Sequence, residues 1–575
     1  MGILLRTILG PAALAIGLSS AVAQEVAPSV APERMAVFAR HSMIAAANPH
    51  AVEAGRLILR SGGNAVDAAI GVQLVLTLVE PQSSGIGGGA FMLHWSAADR
   101  ALVTYDGRET APAAASPDQF LGPDGKPLGF MEAVVGGLSV GVPGVVRMMD
   151  LAHRRHGRLP WSDLFAPAIA LAERGFDLSP RLHALIAADT ALREDAVARS
   201  HFYRPDGTPK PIGARIANPA YAETLRIIAR DGADAFYAGP IAEDIVRAVA
   251  GAKRPGRMTL ADLAGYRAVV RDPVCGPYRA WRVCGMGPPS SGGIAIAQSL
   301  AMLERFDLRR LGVATPAAWH LVLEASRLAF ADRDRYVADT DVTPVPVAGL
   351  LDRRYLATRG TAIRTDASIG KAEPGDPPGR RADLGSDASL EVPSTSHQVV
   401  VDGDGNVVTM TMTIEAAFGA RLMVRGFLLN NELTDFSFRP EDGGRPVANR
   451  VEPGKRPRSS MSPTLVFDRD GRFALAVGSP GGARIIGYVL KALVGVLDWN
   501  LDVQQAINLP NVLNRNGPSE IEATPGSDAL AAALKALGHD VRIGPIESGI
   551  QAIQAIPGGY VGGADPRREG VVLGD

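Results

Sequence analysis

The chain has 575 residues, of which 46% are hydrophobic, and its charges nearly cancel, with 59 Lys and Arg against 60 Asp and Glu. This length can build a large core and more than one folding unit. The near-neutral charge provides no electrostatic basis for binding nucleic acid or an anionic membrane. We therefore expect a soluble globular protein without a nucleic-acid partner.

Residues 1–23 have the pattern of a secretory signal peptide. Arg6 precedes an apolar run from Thr7 to Leu18, and Ala21-Val22-Ala23 forms an A-x-A cleavage site. The apolar run is shorter than the ~20 residues that span a bilayer, and no later segment is long and apolar enough. The sequence therefore predicts a periplasmic or secreted protein without a membrane span.

Two helices and a glycine-rich loop follow. Asn48 and Pro49 predict the start of a helix to about Arg60, and Asn64 predicts the N-cap of a second helix to Val79. The loop over 83–89 follows a helix and precedes a strand, the reverse of the order that places a dinucleotide phosphate on a helix N-terminus. No Gly-Lys-Ser/Thr motif is present either, so no nucleotide cofactor, and no other cofactor, is expected.

Two short motifs in the first half are candidates for chemistry. Arg108 follows a predicted strand. It is either a solvated charge or a group that binds a carboxylate through two parallel hydrogen bonds. The run from Gly137 to Gly141 matches the G-x-S-x-G nucleophile elbow of serine hydrolases, with Ser139 at its centre. In a chain with 64 glycines this match arises easily by chance, and no acid and histidine follow in clear order.

The next part of the chain is mostly helical. Apolar residues at spacings of three and four predict its helices, which cover 150–156, 161–175, 219–232, 241–249, 294–305 and 316–335, with a short turn over 260–266.

The two cysteines, Cys275 and Cys284, flank a predicted hairpin that turns at Arg279 and Ala280. In this register they lie opposite each other, close enough for a disulfide, and an exported protein meets an oxidising compartment. We therefore predict a structural disulfide. Two thiols without a histidine cluster do not complete a metal site, so no metal is expected.

A linker and a β-hairpin occupy the centre of the second half. Residues 364–394 are rich in Pro, Gly, Asp and Arg and lack apolar periodicity. Strand patterns then flank the turn 402–406, which fails as a calcium loop because Val407 and Thr413 stand where Gly and Glu are required. If Asp402 pairs with Asn406, Thr395 lies opposite Thr413, and Thr395, His397, Thr409, Thr411, Thr413 and Glu415 share one face.

Thr395 is placed to become an N-terminal nucleophile if the chain is cut after Ser394. A free α-amine has a pKa of about 7.7–8.0 and can take the proton of the threonine hydroxyl. Gly481 and Gly482, ahead of a predicted helix over 485–499, can supply N–H donors to an oxyanion. Threonines at alternate positions are also ordinary strand formers, so the register alone leaves this hypothesis open.

Several stretches, in this order, resemble the γ-glutamyltranspeptidase (glutathione hydrolase) family, and the resemblance covers essentially all of the mature chain. They are Arg108-Glu109, the 288–293 loop, Thr395-Ser396-His397 with its hairpin, 428–436, 455–463, 478–482 and 563–568.

This resemblance implies an α/β N-terminal-nucleophile hydrolase fold, a four-layer αββα sandwich. It implies a precursor that cuts itself between Ser394 and Thr395 into a large subunit (24–394) and a small subunit (395–575), which remain together as a heterodimer. The expected substrates are glutathione and other γ-glutamyl compounds, and the acceptors are water, amino acids or dipeptides.

The resemblance also implies residue roles. Thr395 attacks the γ-glutamyl amide, Thr413 orients it, and Gly481 and Gly482 form the oxyanion hole. The substrate carboxylate is held by Arg108, Ser459 and Ser460, and its ammonium by Glu432 and Asp435. Charge-assisted hydrogen bonds at both ends would fix the γ-carbonyl over the nucleophile.

Two departures from the family pattern affect this expectation. Glu415 stands where many members have an amide near the ammonium, so three carboxylates surround one ammonium, which would leave one protonated or turned away. The stretch 435–459 is short for a full lid, which favours wider access for acceptors.

The competing hypotheses differ in substrate or nucleophile. A glutaryl-type (cephalosporin) acylase of the same family would need no ammonium pocket, so Glu432 and Asp435 argue against it, and poly-γ-glutamate processing is a further variant. A serine hydrolase using Ser139 and a non-enzymatic periplasmic binding protein both predict an uncut chain.

Overall fold

Two antiparallel seven-stranded sheets form the centre of the computed structural model, which describes residues 33–575; the predicted signal peptide lies outside the described residues. The first sheet has the order Val37–Ala39, Gly559–Ala564, Gln551–Ile556, Phe473–Gly478, Thr464–Phe467, Trp281–Gly285 and Val274–Tyr278. The second has the order Val571–Gly574, Met43–Ala46, Ser396–Val401, Val407–Thr413, Gly89–Ser96, Ala101–Gly107 and Val269–Arg271.

The two sheets stack face to face, and helices cover both outer faces. Because side chains alternate along a strand, Val399 and Phe91 of the second sheet enter the core shared with Leu465 and Ile553 of the first. Their neighbours, such as Val400, point to the opposite face and enter the core formed with the outer helices. The four-layer αββα sandwich predicted above is therefore confirmed.

The helices that cover the outer faces of the sheets form two layers, one on each sheet. The layer on the second sheet includes Pro49–Arg60, Ala65–Val79, Val145–His156, Ala166–Arg174 and Pro219–Asp231. The layer on the first sheet includes Gly292–Leu303, Pro316–Tyr336 and Ile485–Leu497. The remaining helices are Phe130–Val134, Pro180–Ala188, Ala196–Phe202, Asp234–Tyr237, Pro240–Gly251, Leu260–Gly265, Leu308–Leu311, Val347–Leu350, Arg353–Gly360, Val503–Asn508 and Ser527–Ala536.

Peripheral strands complete the fold; they are Phe176–Asp177, Arg215–Ile216, Met423–Val424, Phe427–Leu428, Glu441–Asp442, Arg445–Pro446, Val512–Asn514, Ser519–Glu522 and Val541–Gly544.

The predicted helices are present, with their ends shifted by a few residues. Asn48 and Asn64 cap the first two helices through their side chains, as predicted. The largest difference is the helix predicted over 150–156, which begins five residues earlier, at Val145. The helix predicted over 161–175 begins as a 3₁₀ turn, Trp161–Phe165, and becomes α-helical at Ala166.

The central hairpin has the predicted register. Val401 pairs with Val407 and His397 with Thr411, and the Asp402 N–H donates to the Asn406 carbonyl at 3.1 Å. The preceding linker, 364–394, contains no regular helix or strand. It leads directly into the strand Ser396–Val401, in the middle of the second sheet.

The cysteine hairpin also matches the prediction. Cys275 pairs with Cys284 across the strands, and a disulfide joins them. It lies at one edge of the first sheet, where it covalently links the last two strands.

Candidate active site

The linker end, the start of the central hairpin and the 481–482 loop meet at a small, partly open cavity. Its accessible volume is only about 20 Å³, which is room for roughly one water molecule. Of the residues expected at the Thr395 site, all but Gly481 and Ser394 line the cavity; its lining is Arg108, Glu391, Val392, Thr395, Thr413, Glu415, Glu432, Asp435, Ser459, Ser460, Met461, Gly482 and Ile485.

Thr395 is buried and its hydroxyl is oriented by Thr413. The Thr395 Oγ1 donates to Thr413 Oγ1 at 3.1 Å, and the Glu415 N–H donates to the same Thr413 oxygen at 2.8 Å. Thr395 has a φ of +86°, a region that is uncommon and strained for a β-branched residue. The hairpin therefore holds the hydroxyl at one position, with the strained backbone beside it.

The peptide bond before Thr395 contacts the predicted oxyanion glycines. The Gly481 N–H donates to the Ser394 carbonyl oxygen at 3.0 Å. Gly481 and Gly482 have φ values of +139° and +58°, and a Cβ on Gly482 would lie 2.5 Å from the Val392 carbonyl oxygen. Glycine is therefore required at both positions, because a side chain would be strained and would collide with its neighbours.

Arg568 is a residue of the site that was not assigned a role from the sequence. Its Nη1 donates to the Thr395 carbonyl oxygen at 3.0 Å, and its Nε pairs with Glu547 at 2.8 Å. It lies in the 563–568 stretch that carried part of the resemblance. The buried Arg568 thus fixes the peptide group that follows the nucleophile.

Arg108 lies among the acids predicted to bind an ammonium. Its two terminal nitrogens form ion pairs with Glu432 and Asp435, and Glu109 is 3.9 Å away. The arginine expected at the substrate carboxylate is thus paired with protein carboxylates. The structure brings Arg108, Glu432 and Asp435 together in one cavity and pairs them with one another.

The carboxylates outnumber the cation at this end of the cavity. Glu415, which accepts from Asn431 Nδ2 at 2.5 Å, lies near Asp435 and Glu432. Burial, together with those two carboxylates, raises the pKa of Glu415 well above its usual range. Burial also raises the pKa of Asp435 well above its usual range, although Arg108 opposes the shift. The three-carboxylate arrangement therefore favours protonation of some of its members.

A second cationic group was missed by the sequence analysis. Arg333, near the end of a long helix, donates from Nη2 to Ser460 Oγ at 2.7 Å and forms an ion pair with Glu391. Arg458 lies 3.7 Å from the same carboxylate. Nothing in the helix pattern distinguishes Arg333 from a solvated charge, because the partner residues come from distant parts of the chain.

Ser139 lacks the surroundings of a nucleophile. Its buried hydroxyl donates to the Val134 carbonyl oxygen at 2.6 Å and lies 3.3 Å from the Gly136 carbonyl oxygen. A hydroxyl committed to backbone carbonyls has no base to activate it. The elbow motif at 137–141 is therefore a structural turn that includes a short 3₁₀ helix.

His320, Glu324 and His539 form the one group within residues 33–575 whose geometry would suit a metal ion. The two imidazoles already contact each other at 2.7 Å, and Glu324 binds Arg327 at 3.1 Å and the Ile369 N–H at 2.6 Å. We interpret the group as a polar contact that holds the start of the linker.

Across residues 33–575, no helix is long and apolar enough to cross a membrane.

Comparison with known proteins identifies relatives over nearly the whole chain. The family profile described as Gamma-glutamyltranspeptidase matches residues 51–575. The glutathione hydrolase proenzyme of Bacillus subtilis (strain 168) is 36% identical over 547 residues, covering 93% of this chain and 92% of the relative. The acylase ACY 1 proenzyme of Pseudomonas sp. (strain SE83) is 36% identical over 545 residues, covering 92% and 93%.

A solved structure shows the same architecture. The cephalosporin acylase from Bacillus halodurans superposes with a TM-score of 0.82 and 28% identity, covering 95% of this chain and 97% of that chain. The two stacked sheets and their helical layers are thus those of an N-terminal-nucleophile hydrolase. The chain belongs to the γ-glutamyltranspeptidase family.

Proposed function

We propose that the chain is a proenzyme that cuts itself between Ser394 and Thr395 and then acts as a γ-glutamyltransferase and glutathione hydrolase. The observation that carries this proposal is the pair of contacts at the cleavage point. The Ser394 carbonyl accepts from the Gly481 N–H at 3.0 Å, and the Thr395 hydroxyl is held by Thr413 at 3.1 Å. A polarised carbonyl thus adjoins an oriented hydroxyl.

Self-cleavage would begin when Thr395 Oγ1 attacks the Ser394 carbonyl carbon. The negative charge on the carbonyl oxygen would be stabilised by the Gly481 N–H. Collapse breaks the C–N bond, which moves the Ser394 acyl group to the hydroxyl as an ester and frees the Thr395 amine. Water then hydrolyses the ester and leaves a carboxylate on Ser394 and a free Thr395.

In turnover the freed amine would accept the proton of the Thr395 hydroxyl as it attacks the γ-carbonyl of the substrate. The amine of the leaving group departs with a proton, and the γ-glutamyl group remains as an ester on Thr395. Water releases glutamate, or an amino acid or dipeptide takes the group as a new amide. Gly481 and Gly482 would stabilise the oxyanion in both halves of the reaction.

The charge of the cavity supports a γ-glutamyl substrate. Glu109, Glu432 and Asp435 surround one arginine, Arg108, and Glu415 lies near the last two acids. An incoming ammonium would compensate this excess of buried carboxylates, and Ser459, Ser460 and Arg108 would hold the free carboxylate, as the resemblance implies. The names of the hydrolase relatives agree with this substrate class.

The test of maturation is a denaturing gel with N-terminal sequencing of the purified protein. We expect a small fragment that begins at Thr395 and contains 575 − 394 = 181 residues, bound to the large fragment as a heterodimer in the native state. Thr395→Ala should remain uncut, whereas Ser139→Ala should be cut and active. An uncut chain with full activity would contradict the proposed mechanism.

A glutaryl-type acylase is the second candidate, because an acylase proenzyme and a cephalosporin acylase are among the similar proteins. Rates with γ-glutamyl-4-nitroanilide and glutaryl-4-nitroanilide separate the two activities. We expect the γ-glutamyl compound to be preferred, since the glutaryl compound has no ammonium to bind the acids.

We also propose that the protein acts in the periplasm or outside the cell, which fractionation of cells that express the full chain would test.

A further inference from the structure

Arg34, three residues before the strand Val37–Ala39, binds the turn that connects the last two strands of the chain. This turn, 565–570, crosses from the first sheet to the second. The Arg34 guanidinium donates from Nη1 to the Gly570 carbonyl and from Nη2 to the Arg568 carbonyl, the latter at 3.2 Å. One planar group with a fixed spacing of donors thus holds two peptide carbonyls of the same turn.

The backbone of Arg34 is fixed as well. Its carbonyl oxygen accepts from Asn508 Nδ2 at 3.0 Å, and Asn508 Oδ1 accepts from Gln504 Nε2 at 2.8 Å. Gln504 in turn bonds both the N–H and the carbonyl of Ala564, at 2.9 and 3.2 Å. The main chain and the side chain of Arg34 are therefore both held, so its guanidinium has a defined position from which to fix the turn.

The two halves of the turn are held to different degrees. In the first half, the Asp565 carboxylate accepts from the N–H groups of Ile550 and Arg567, at 3.1 and 3.0 Å. In the second half, the Arg568 N–H lies 3.4 Å from the Asp565 carbonyl oxygen, which is long for a hydrogen bond. The contacts of Arg34 therefore strengthen the weaker half of the turn.

This weaker half carries Arg568, whose side chain reaches the nucleophile. Its Nη1 donates to the Thr395 carbonyl oxygen at 3.0 Å. Its Nε lies 2.8 Å from Glu547, but that carboxylate is 49% exposed and also pairs with Arg181 at 2.9 Å. An exposed and shared carboxylate fixes an arginine only weakly, so the position of Arg568 depends on the backbone that carries it.

The carbonyl that Arg568 holds belongs to the same residue as the nucleophilic hydroxyl. Thr395 has a φ of +86°, a strained conformation that its surroundings must maintain. Self-cleavage would remove the peptide bond on one side of Thr395, which leaves its carbonyl as the side on which the backbone is still held. A displaced Arg568 would therefore misorient the hydroxyl before cleavage and more strongly after it.

We propose that Arg34 is a positioning residue for the reaction at Thr395. It fixes the backbone of 568–570 and thereby keeps the Arg568 guanidinium on the Thr395 carbonyl, although Arg34 itself does not line the Thr395 cavity. The inference rests on the proposed function, because it assigns a role in the same self-cleavage and turnover.

Arg34→Met should slow chain cleavage by about 10-fold, and should lower kcat of the cut protein for γ-glutamyl-4-nitroanilide equally, because a small displacement misaligns the nucleophile. KM should stay within about 2-fold, because Arg34 does not contact the substrate. Arg40→Met is the matched control, since Arg40 is an exposed residue of the same arm, and it should leave both rates within about 2-fold. Denaturant midpoints measured in parallel distinguish a loss of positioning from a loss of folding.

A double-variant cycle with Arg568→Met tests whether Arg34 acts through Arg568. In the Arg568→Met background, Arg34→Met should change the rates by less than about 2-fold, because the contact that it supports is already lost. A full additional loss in the double variant, or wild-type rates in Arg34→Met, would overturn the proposal. If the wild type is cut but does not cleave the γ-glutamyl anilide, the proposed function fails, while the rates of chain cleavage still test Arg34.

A crystal structure of Arg34→Met gives an answer whether or not the variant is cut. We expect the turn 568–570 to be displaced, with Arg568 Nη1 more than about 3.5 Å from the Thr395 carbonyl oxygen. Arg34→Gln, whose shorter side chain cannot reach both carbonyls, serves the same purpose if Arg34→Met does not fold. An unmoved turn that keeps the contact between Arg568 and Thr395 would refute the proposal.

Discussion

The backbone N–H of Gly481 donates a 3.0 Å hydrogen bond to the carbonyl oxygen of Ser394. The same glycine is expected to stabilise the oxyanion during turnover, so one donor would serve both maturation and catalysis. Both reactions place a carbonyl carbon beside the Thr395 hydroxyl, and the donor stays fixed while the acyl group changes.

Gly481→Ala should therefore slow both reactions. At a φ of +139° the new Cβ would lie 2.5 Å from Tyr488 Cε2, so the loop must shift and the donor must move away from Ser394. We expect the small fragment to appear about 100-fold more slowly on a denaturing gel. Gly403→Ala is the control, because no atom lies within 4 Å of the place that its new Cβ would occupy, and it should mature at the wild-type rate.

Thr413→Ala should impair maturation through the orientation of Thr395. The substitution removes the acceptor of the 3.1 Å bond from Thr395 and of the 2.8 Å bond from the Glu415 N–H. Loss of a single positioning contact can cost up to about 100-fold in rate, which time courses of chain cleavage would measure. Thr413→Ser keeps the hydroxyl and should restore most of the rate; equal rates in both variants would contradict the assignment.

The preference for γ-glutamyl over glutaryl anilide should increase with pH. Burial and neighbouring carboxylates raise the pKa values of Glu415 and Asp435 above the ordinary range, so both acids are partly protonated where a free carboxyl, with a pKa of about 4, is ionised. As the pH rises through these raised pKa values, the acids ionise and attract the substrate ammonium. The ratio of kcat/KM for the two anilides cancels the ionisation of Thr395 and isolates this effect.

Glu415→Gln should make that pH dependence shallower, because one titrating carboxylate is lost. The measurements should stay below about pH 7.5, where the substrate amine remains protonated. A ratio that does not vary with pH in the wild type would show that the acids are ionised throughout.

The Cys275–Cys284 disulfide should stabilise the processed protein without affecting its chemistry. The bond closes a loop with a sequence separation of 9, which corresponds to about 2–3 kcal/mol in the chain-entropy description. The double variant Cys275→Ala/Cys284→Ala should unfold at lower denaturant concentration with unchanged kcat/KM. Reductant should shift the wild type toward this variant and should not shift the variant itself.

The sequence by itself determined the local geometry around the nucleophile. Strand alternation and a three-residue turn place Thr395 opposite Thr413, and the structure has this register. The same argument paired Cys275 with Cys284. Both predictions depend on residues close in the chain, where the period of two and the length of the turn leave few alternatives.

Only the tertiary structure decided which charges meet. Arg108 pairs with acids more than 300 positions away, and Glu391, within the apparent linker, meets Arg333 and Ser460. Strand and helix periodicity say which side chains are buried, but not which of several buried carboxylates lies beside which arginine. That choice follows from how the layers pack, because an unpaired charge is too costly to bury.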